Sequence, residues 1–277
     1  WFIPTLHGQP VGCFPNRNQF GGYVALLSPA CLLLFSESVT ARKLLPSLAW
    51  AACFVVMSMV IVFSLSRGSW LVYAVGVLSA VAFMVASRRI LATMLVLGFL
   101  ATGAVAVMQP QGGALQERLL TLKERSSDGT VQMRLSTWTD TLRIVPDYPL
   151  IGTGANAFGM IFPQYRTATT RKSFAHAENE YLEVPAEVGA MGSLLLVGLA
   201  VCFFLVWRER RRNAPSPSLL NMAVATALIV GATHSLFDFP LRTPLYAMTL
   251  SALLGLLIAS APRLPDDTST PREPRWL

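Results

Sequence analysis

Seven apolar runs of 18 to 20 residues recur along this chain of 277 residues, at 18–35, 48–66, 69–86, 90–108, 188–207, 219–236 and 244–261. A helix needs about 20 mainly apolar residues to cross the hydrocarbon core of a bilayer, so runs of this length leave little choice of fold. Charged residues make up only 13% of the chain, against about 25% in a typical soluble domain. The expected architecture is an all-α integral membrane protein with seven transmembrane helices.

The polar segments divide the chain. Residues 1–17 are rich in Pro and Gly and read as a loop. Residues 18–108 hold four spans, 109–187 a long polar insertion and 188–261 three more spans. Residues 262–277 form a Pro-rich, charged tail with the composition of disorder. The first residue is Trp1 and no signal peptide is visible, so further spans are expected upstream. Short loops set orientation, because Lys and Arg are retained on the cytoplasmic side while long loops translocate regardless of charge. With the insertion set aside, eleven Lys and Arg fall on the side of Arg208 to Arg212, and three (Arg17, Arg67 and Arg242) fall on the other. The side with Arg208 is therefore expected to be cytoplasmic and the insertion exported. The net charge of +7 is then a topology signal and not a nucleic-acid footprint.

The insertion carries helical patterning. Val131, Leu135, Trp138, Leu142 and Val145 share one face of a helix that Asp128 or Thr130 can cap and Pro146 can end. Residues 114–125 form a weaker helical stretch. Gly152-Thr153-Gly154 reads as a tight turn, since no strand precedes it to make a dinucleotide site.

Candidates for chemistry gather at the ends of the spans. Ser173 to Gly192, SFAHAENEYLEVPAEVGAMG, is acidic and runs directly into an apolar segment. Its carboxylates either solvate a helix entering the bilayer or build a site. Arg67 sits in the turn between two spans, where an arginine is either a snorkelling anchor or a fork for phosphate oxygens. The insertion adds eight cations, among them Arg134 and Arg166, which point to an anionic partner such as a lipid diphosphate. His234 lies at the end of the sixth span, followed by Asp238 and Arg242. Asn16 and Asn18 precede the first span as a helix cap or a sugar-binding amide, with Asn18 favoured as the cap. Four cysteines without CxxC spacing and three scattered histidines supply no metal-ligand cluster, and no cofactor motif is present.

Four stretches in chain order resemble the O-antigen ligase and polymerase family of bacterial membrane glycosyltransferases: PNRNQFGGYVALLSP at 15–29, SRGSWL at 66–71, RLSTWTDTLRIVPDYPLIGTGANAF at 134–158, and AENEYLEVPAEVGAMG at 177–192. The resemblance implies a larger helical bundle in the bacterial inner membrane, of which this chain holds the last seven spans. It also implies a periplasmic loop bearing the active face, a polyprenyl-diphosphate-linked glycan as donor, and no metal. Acceptors would be lipid A core, another glycan or a protein side chain. Arg67 and Arg134 match the arginines that would hold the donor diphosphate. The family pattern of His, then Asn, Ser or Gln, nine residues, Gly, two residues and Gly is met by Asn179, Gly189 and Gly192, but Glu178 stands where the His belongs and His176 lies two residues earlier. The base is therefore Glu178, His176 or the two together. Chemistry favours the imidazole, which exchanges protons near neutrality. The alternative function is a transporter or flippase for a lipid-linked sugar or another anion. Such proteins place polar groups at mid-membrane, whereas the candidates here lie at one face.

Overall fold

A computed structural model of the chain describes residues 12–14, 16–86, 129–167, 174–211 and 218–259. The fourth apolar run, the 114–125 stretch and the C-terminal tail lie outside them. The described residues are helical with no strand, in the order α1 (Arg17–Thr40), α2 (Leu44–Phe63), α3 (Arg67–Ala86), α4 (Gly129–Asp147), α5 (Phe158–Tyr165), α6 (Glu180–Arg211), α7 (Leu219–His234) and α8 (Pro244–Ala259), with a 3-10 turn at Pro240–Arg242.

Helices α1, α2, α3 and α6 are long and apolar enough to cross a membrane, as an all-α membrane protein requires. Helix α7 has 16 residues. At about 1.5 Å per residue it is shorter than the roughly 30 Å hydrocarbon core. The loop after α7 explains the early stop. Ser235 and Leu241 both donate to the Glu180 carboxylate, at 2.6 and 2.9 Å, which draws this segment onto the start of α6. Pro244 then opens α8 at a position where its missing N–H is harmless.

Helix α1 packs against α2, α3 and α7, and α3 also packs against α7. Small residues permit this closeness, as is usual between helices that gain nothing from hiding apolar surface in lipid. Gly76 of α3 faces Val230 and Pro29, and Gly21 of α1 faces Ser69. Two apolar clusters fill the bundle. One centres on Leu32, Leu33, Phe54 and Met84, the other on Leu26, Ile61, Val72 and Tyr246. Asn16, not Asn18, caps α1: its side-chain oxygen accepts the Gln19 N–H at 2.9 Å, because Asn16 holds the extended backbone that a cap requires. Asn18 lies inside the first turn.

The insertion has its own core of Ile144, Phe158, Phe162, Ala177 and Ala186. Helix α4 exists as expected, but burial does not follow its apolar stripe. Val131, Leu135 and Leu142 are 49%, 47% and 53% exposed, while Thr137, Asp140, Thr141 and Ile144 are buried. Burial of this polar face is possible because every group on it is bonded. The Thr137 and Thr141 hydroxyls donate to backbone carbonyls one turn back, and Asp140 accepts the Thr167 N–H and hydroxyl, each at 2.9 Å. Pro146 lies in the last turn of α4, which runs on to Asp147.

Helix α6 is broken at Gly189, whose φ of 62° and ψ of −167° open the helical ladder. The exposed N–H groups of Ala190 and Met191 are taken up by the carbonyls of Pro149 and Leu150, at 2.9 and 3.0 Å. A methyl group on Gly189 would overlap the Leu150 carbonyl. Gly189→Ala is therefore expected to lower the melting temperature of the detergent-extracted protein by several degrees, since a left-handed backbone costs an alanine about 1–2 kcal/mol before any clash is counted. Gly198→Ala, on the same helix with open space around it, is expected to leave the melting temperature unchanged or raise it slightly.

Candidate active site

Three arginines from distant parts of the chain line one cleft of about 360 Å³: Arg17 at the start of α1, Arg67 at the start of α3 and Arg134 on α4. Asn18, Val131, His234, Phe237 and Asp238 share its walls. The turn carrying Arg67 is held by hydroxyls. Ser69 Oγ donates to Ser66 Oγ at 2.9 Å and lies 3.2 Å from the Asn18 carbonyl oxygen, which ties the start of α3 to the start of α1. Leu65, just before this turn, takes a φ of 52°, in the left-handed region that a side chain disfavours. Arg134 is gripped on two sides: one terminal nitrogen donates to the Phe237 carbonyl at 3.1 Å, and Nε pairs with Glu178 Oε2 at 2.8 Å.

His234 is buried at the cleft wall. Its ring occupies the space that Gly22 leaves by having no side chain. Nε2 stands 3.8 Å from Asp238 Oδ2, and Tyr246 packs near the ring.

Beside the cleft, the acidic stretch folds into a bonded cluster. Glu180, Glu183 and Glu187 recur at helical spacing on the first turns of α6, and all three are buried. They do not solvate a helix entering lipid. Glu183, 0% exposed, receives the Ala177 N–H on one oxygen at 2.6 Å; its other oxygen lies 2.8 Å from His176 Nδ1 and 3.3 Å from Arg242 Nε. Arg242 also donates to Glu187 Oε2 at 2.6 Å. Glu187 in turn accepts the N–H groups of Asn156 and Phe158, at 2.9 and 3.0 Å, where α5 begins. A carboxylate suits that place, because the first N–H groups of a helix have no intrahelical partner.

The lead-in to α6 is not helical, and Ala177 is clamped from both sides. Its N–H goes to Glu183, while its carbonyl accepts the Trp138 indole N–H at 3.1 Å. This clamp sends the two flanking side chains to different partners: His176 to Glu183, and Glu178 to Arg134. His176 also packs against Phe239, ring centres 4.0 Å apart and planes tilted by 30°. Glu178 has a φ of 55°, an expensive conformation for a side chain with a Cβ, of the kind that collects at functional sites.

Arg67, Arg134, Asn18 and His234 thus meet at one cleft, with Glu178 bonded to its rim and His176 one residue beyond the clamp. Asn179 goes elsewhere: it caps α6, its side-chain oxygen accepting the Tyr181 N–H at 3.0 Å. Arg166 follows the end of α5 and is not among the residues lining the cleft. From sequence, Arg17 entered only through its charge, Arg242 only as a neighbour of His234, and Glu183 only as one carboxylate of the acidic stretch. Arg17 and Arg242 carried a usable signal, as they are two of only three cations in the short loops on that side of the bundle. Below the insertion's core, the Tyr165 hydroxyl donates to Asp147 at 2.6 Å, and this bond pushes the phenol up to about 12 while it ties the end of α5 to the end of α4.

No curated protein matches the chain. The family model described as O-antigen ligase matches residues 52–197, just over half of the chain. That match begins within α2 and takes in the Arg67 turn, α4, the clamped lead-in and the break at Gly189. This helical membrane protein, with its arginine cleft and buried carboxylates, belongs to the O-antigen ligase family.

Proposed function

We propose that the chain transfers a glycan from a polyprenyl-diphosphate carrier to a hydroxyl acceptor at the periplasmic face of a bacterial inner membrane. The observation that carries this reading is the meeting of Arg17, Arg67 and Arg134 in one cleft beside the pair His176 and Glu183. In this reading residues 109–187 form the exported loop domain, and the Arg208 to Arg212 loop and the tail after 261 are cytoplasmic.

The chemistry is a displacement at the anomeric carbon. The acceptor oxygen forms a bond to that carbon as the bond to the diphosphate oxygen breaks, and the electron pair leaves with the diphosphate. Negative charge then grows on the leaving group, where cations already in position are most effective. A guanidinium offers two parallel N–H groups to phosphate oxygens, and Arg134 is pre-oriented for this by Glu178 and the Phe237 carbonyl. The proton of the acceptor hydroxyl passes to His176. An ionised Glu183 can only accept a hydrogen bond, so it selects the form of His176 that carries its hydrogen on Nδ1 and leaves the Nε2 lone pair for the acceptor. Glu178 then serves as the orienting group of Arg134.

The reading is tested in proteoliposomes supplied with lipid-linked donor. Arg67→Ala and Arg134→Ala are each expected to reduce transfer by about 10²-fold or more, the usual loss for one preorganised donor, with insertion into the membrane unchanged. Arg67→Lys should restore little, since a point charge does not reproduce the fork. Full transfer by either alanine variant would remove that arginine from the site.

The base is tested separately. His176→Ala is expected to abolish transfer, and Glu178→Gln to lower it in part through Arg134. Full activity in both would move the base to His234. Glu178→Gly should lower transfer in part, as Glu178→Gln does, while relief of the left-handed backbone, worth about 1 kcal/mol, offsets the stability lost with the Arg134 pairing. Topology is checked with fused reporters. One placed after Ser216 is expected inside the cell and one near Ser126 outside, and reversal of both signals would overturn the orientation.

A further inference from the structure

The turn Tyr148 to Ile151 leaves two adjacent large aliphatic side chains, Leu150 and Ile151, 64% and 74% exposed. The insertion does not need them, because its core is already filled by Ile144, Phe158 and Phe162. The turn is also not a loose loop. Pro149 and Leu150 give their carbonyls to Ala190 and Met191, Thr153 and Gly154 donate to the carbonyls of Ala186 and Glu187, and Gly152 lies directly against the backbone from Glu187 to Gly189. The chain therefore holds Leu150 and Ile151 rigidly at the level of the break in α6.

That level is a boundary. On the cleft side of Gly189, Glu183 and Glu187 are buried and bonded to Arg242. On the other side, the apolar surface of Met191, Leu194 and Leu195 opens, in a span that is almost wholly exposed in the bundle. The exposed turn is thus continuous with the lipid-facing surface of a membrane helix and lies at its polar end. Tyr148, partly exposed at the start of the turn, is the residue type that favours the bilayer interface, where a ring can lie in apolar surroundings with its hydroxyl in water.

We infer that the Tyr148–Ile151 turn is a membrane-interface anchor: Leu150 and Ile151 insert among the phospholipids on the side of the cleft and hold the insertion at the membrane surface. The partner is the lipid bilayer itself. Anchoring here sets the height of the arginine cleft against the headgroups, because the same clamp at Gly152 and Gly189 carries both the turn and the α6 carboxylates.

The experiment places a photoreactive p-benzoylphenylalanine at Ile151 in the full chain, reconstituted in vesicles of phosphatidylethanolamine and phosphatidylglycerol. Leu195 serves as the lipid-facing reference and the exposed Gln164 on α5 as the polar one. After irradiation, phospholipid adducts are read by mass spectrometry. Adducts at 151 in a yield comparable to 195, with none at 164, are the expected result. Absence of lipid adducts at 151 while 195 yields them overturns the anchor, whether the label stays unreacted or joins to a second copy or to another segment of the chain. If the 151 variant fails to insert, the same label at Leu150 gives the reading by the same criterion.

Discussion

A single buried carboxylate organises the polar half of this molecule. Glu183 has no exposed surface, so its charge must be met inside the protein, and removing one partner of such a group commonly costs about 3–5 kcal/mol. Its three partners come from two places: the Ala177 N–H and the His176 ring in the lead-in to α6, and Arg242 in the loop before α8. Arg242 extends the connection to Glu187, and Glu187 extends it to the start of α5. Two carboxylates share one guanidinium, and backbone N–H groups satisfy the rest of their acceptor capacity. The insertion, the kinked helix and the last loop are thereby joined by charge beside the insertion's apolar core. The position of His176 against the arginine cleft follows from this connection.

The bundle beneath the cleft works by the opposite rule. There the contacts are close because side chains are small. Gly22 makes room for the His234 ring, Gly76 for Val230 and Pro29, and Gly21 for the serines of the Arg67 turn. A lipid-embedded helix pair gains from dispersion and shape, not from hiding apolar surface from water. The two halves meet where α1 and α3 begin and α7 ends, and that is where the arginines lie.

Much of this was legible in the residue order, for physical reasons that also explain the misses. The bilayer imposes a length on apolar runs, so the helices of the bundle stand out, and the cations at their ends mark the face where Arg67, Arg134, Asn18 and His234 meet. The α4 pattern identified a helix but not which side of it is buried. Periodicity reports that one face differs from another, but Thr137, Asp140 and Thr141 can be buried once Thr167 and the backbone satisfy them. Asn16 and Asn18 are two residues apart with the same side chain, and only backbone conformation decides which is the cap. The acidic stretch was visible as a site, yet the roles within it depend on Trp138 and Arg242, far away in sequence. Their bonds to Ala177 and Glu183 cannot be read from local spacing.

The loop from His234 to Arg242 also has a place in time. It supplies Phe237 to Arg134, Ser235 and Leu241 to Glu180, and Arg242 to Glu183 and Glu187. It is the last of these segments to leave the ribosome. Until it is made, the carboxylates of α6 lack their cation and Arg134 lacks one of its two supports. A growing chain therefore carries its arginines and its histidine into the membrane unassembled. The final loop acts as a keystone, so the cleft takes shape only when synthesis has passed it, and a chain cut short before it lacks the His234, Phe237 and Asp238 wall of the cleft.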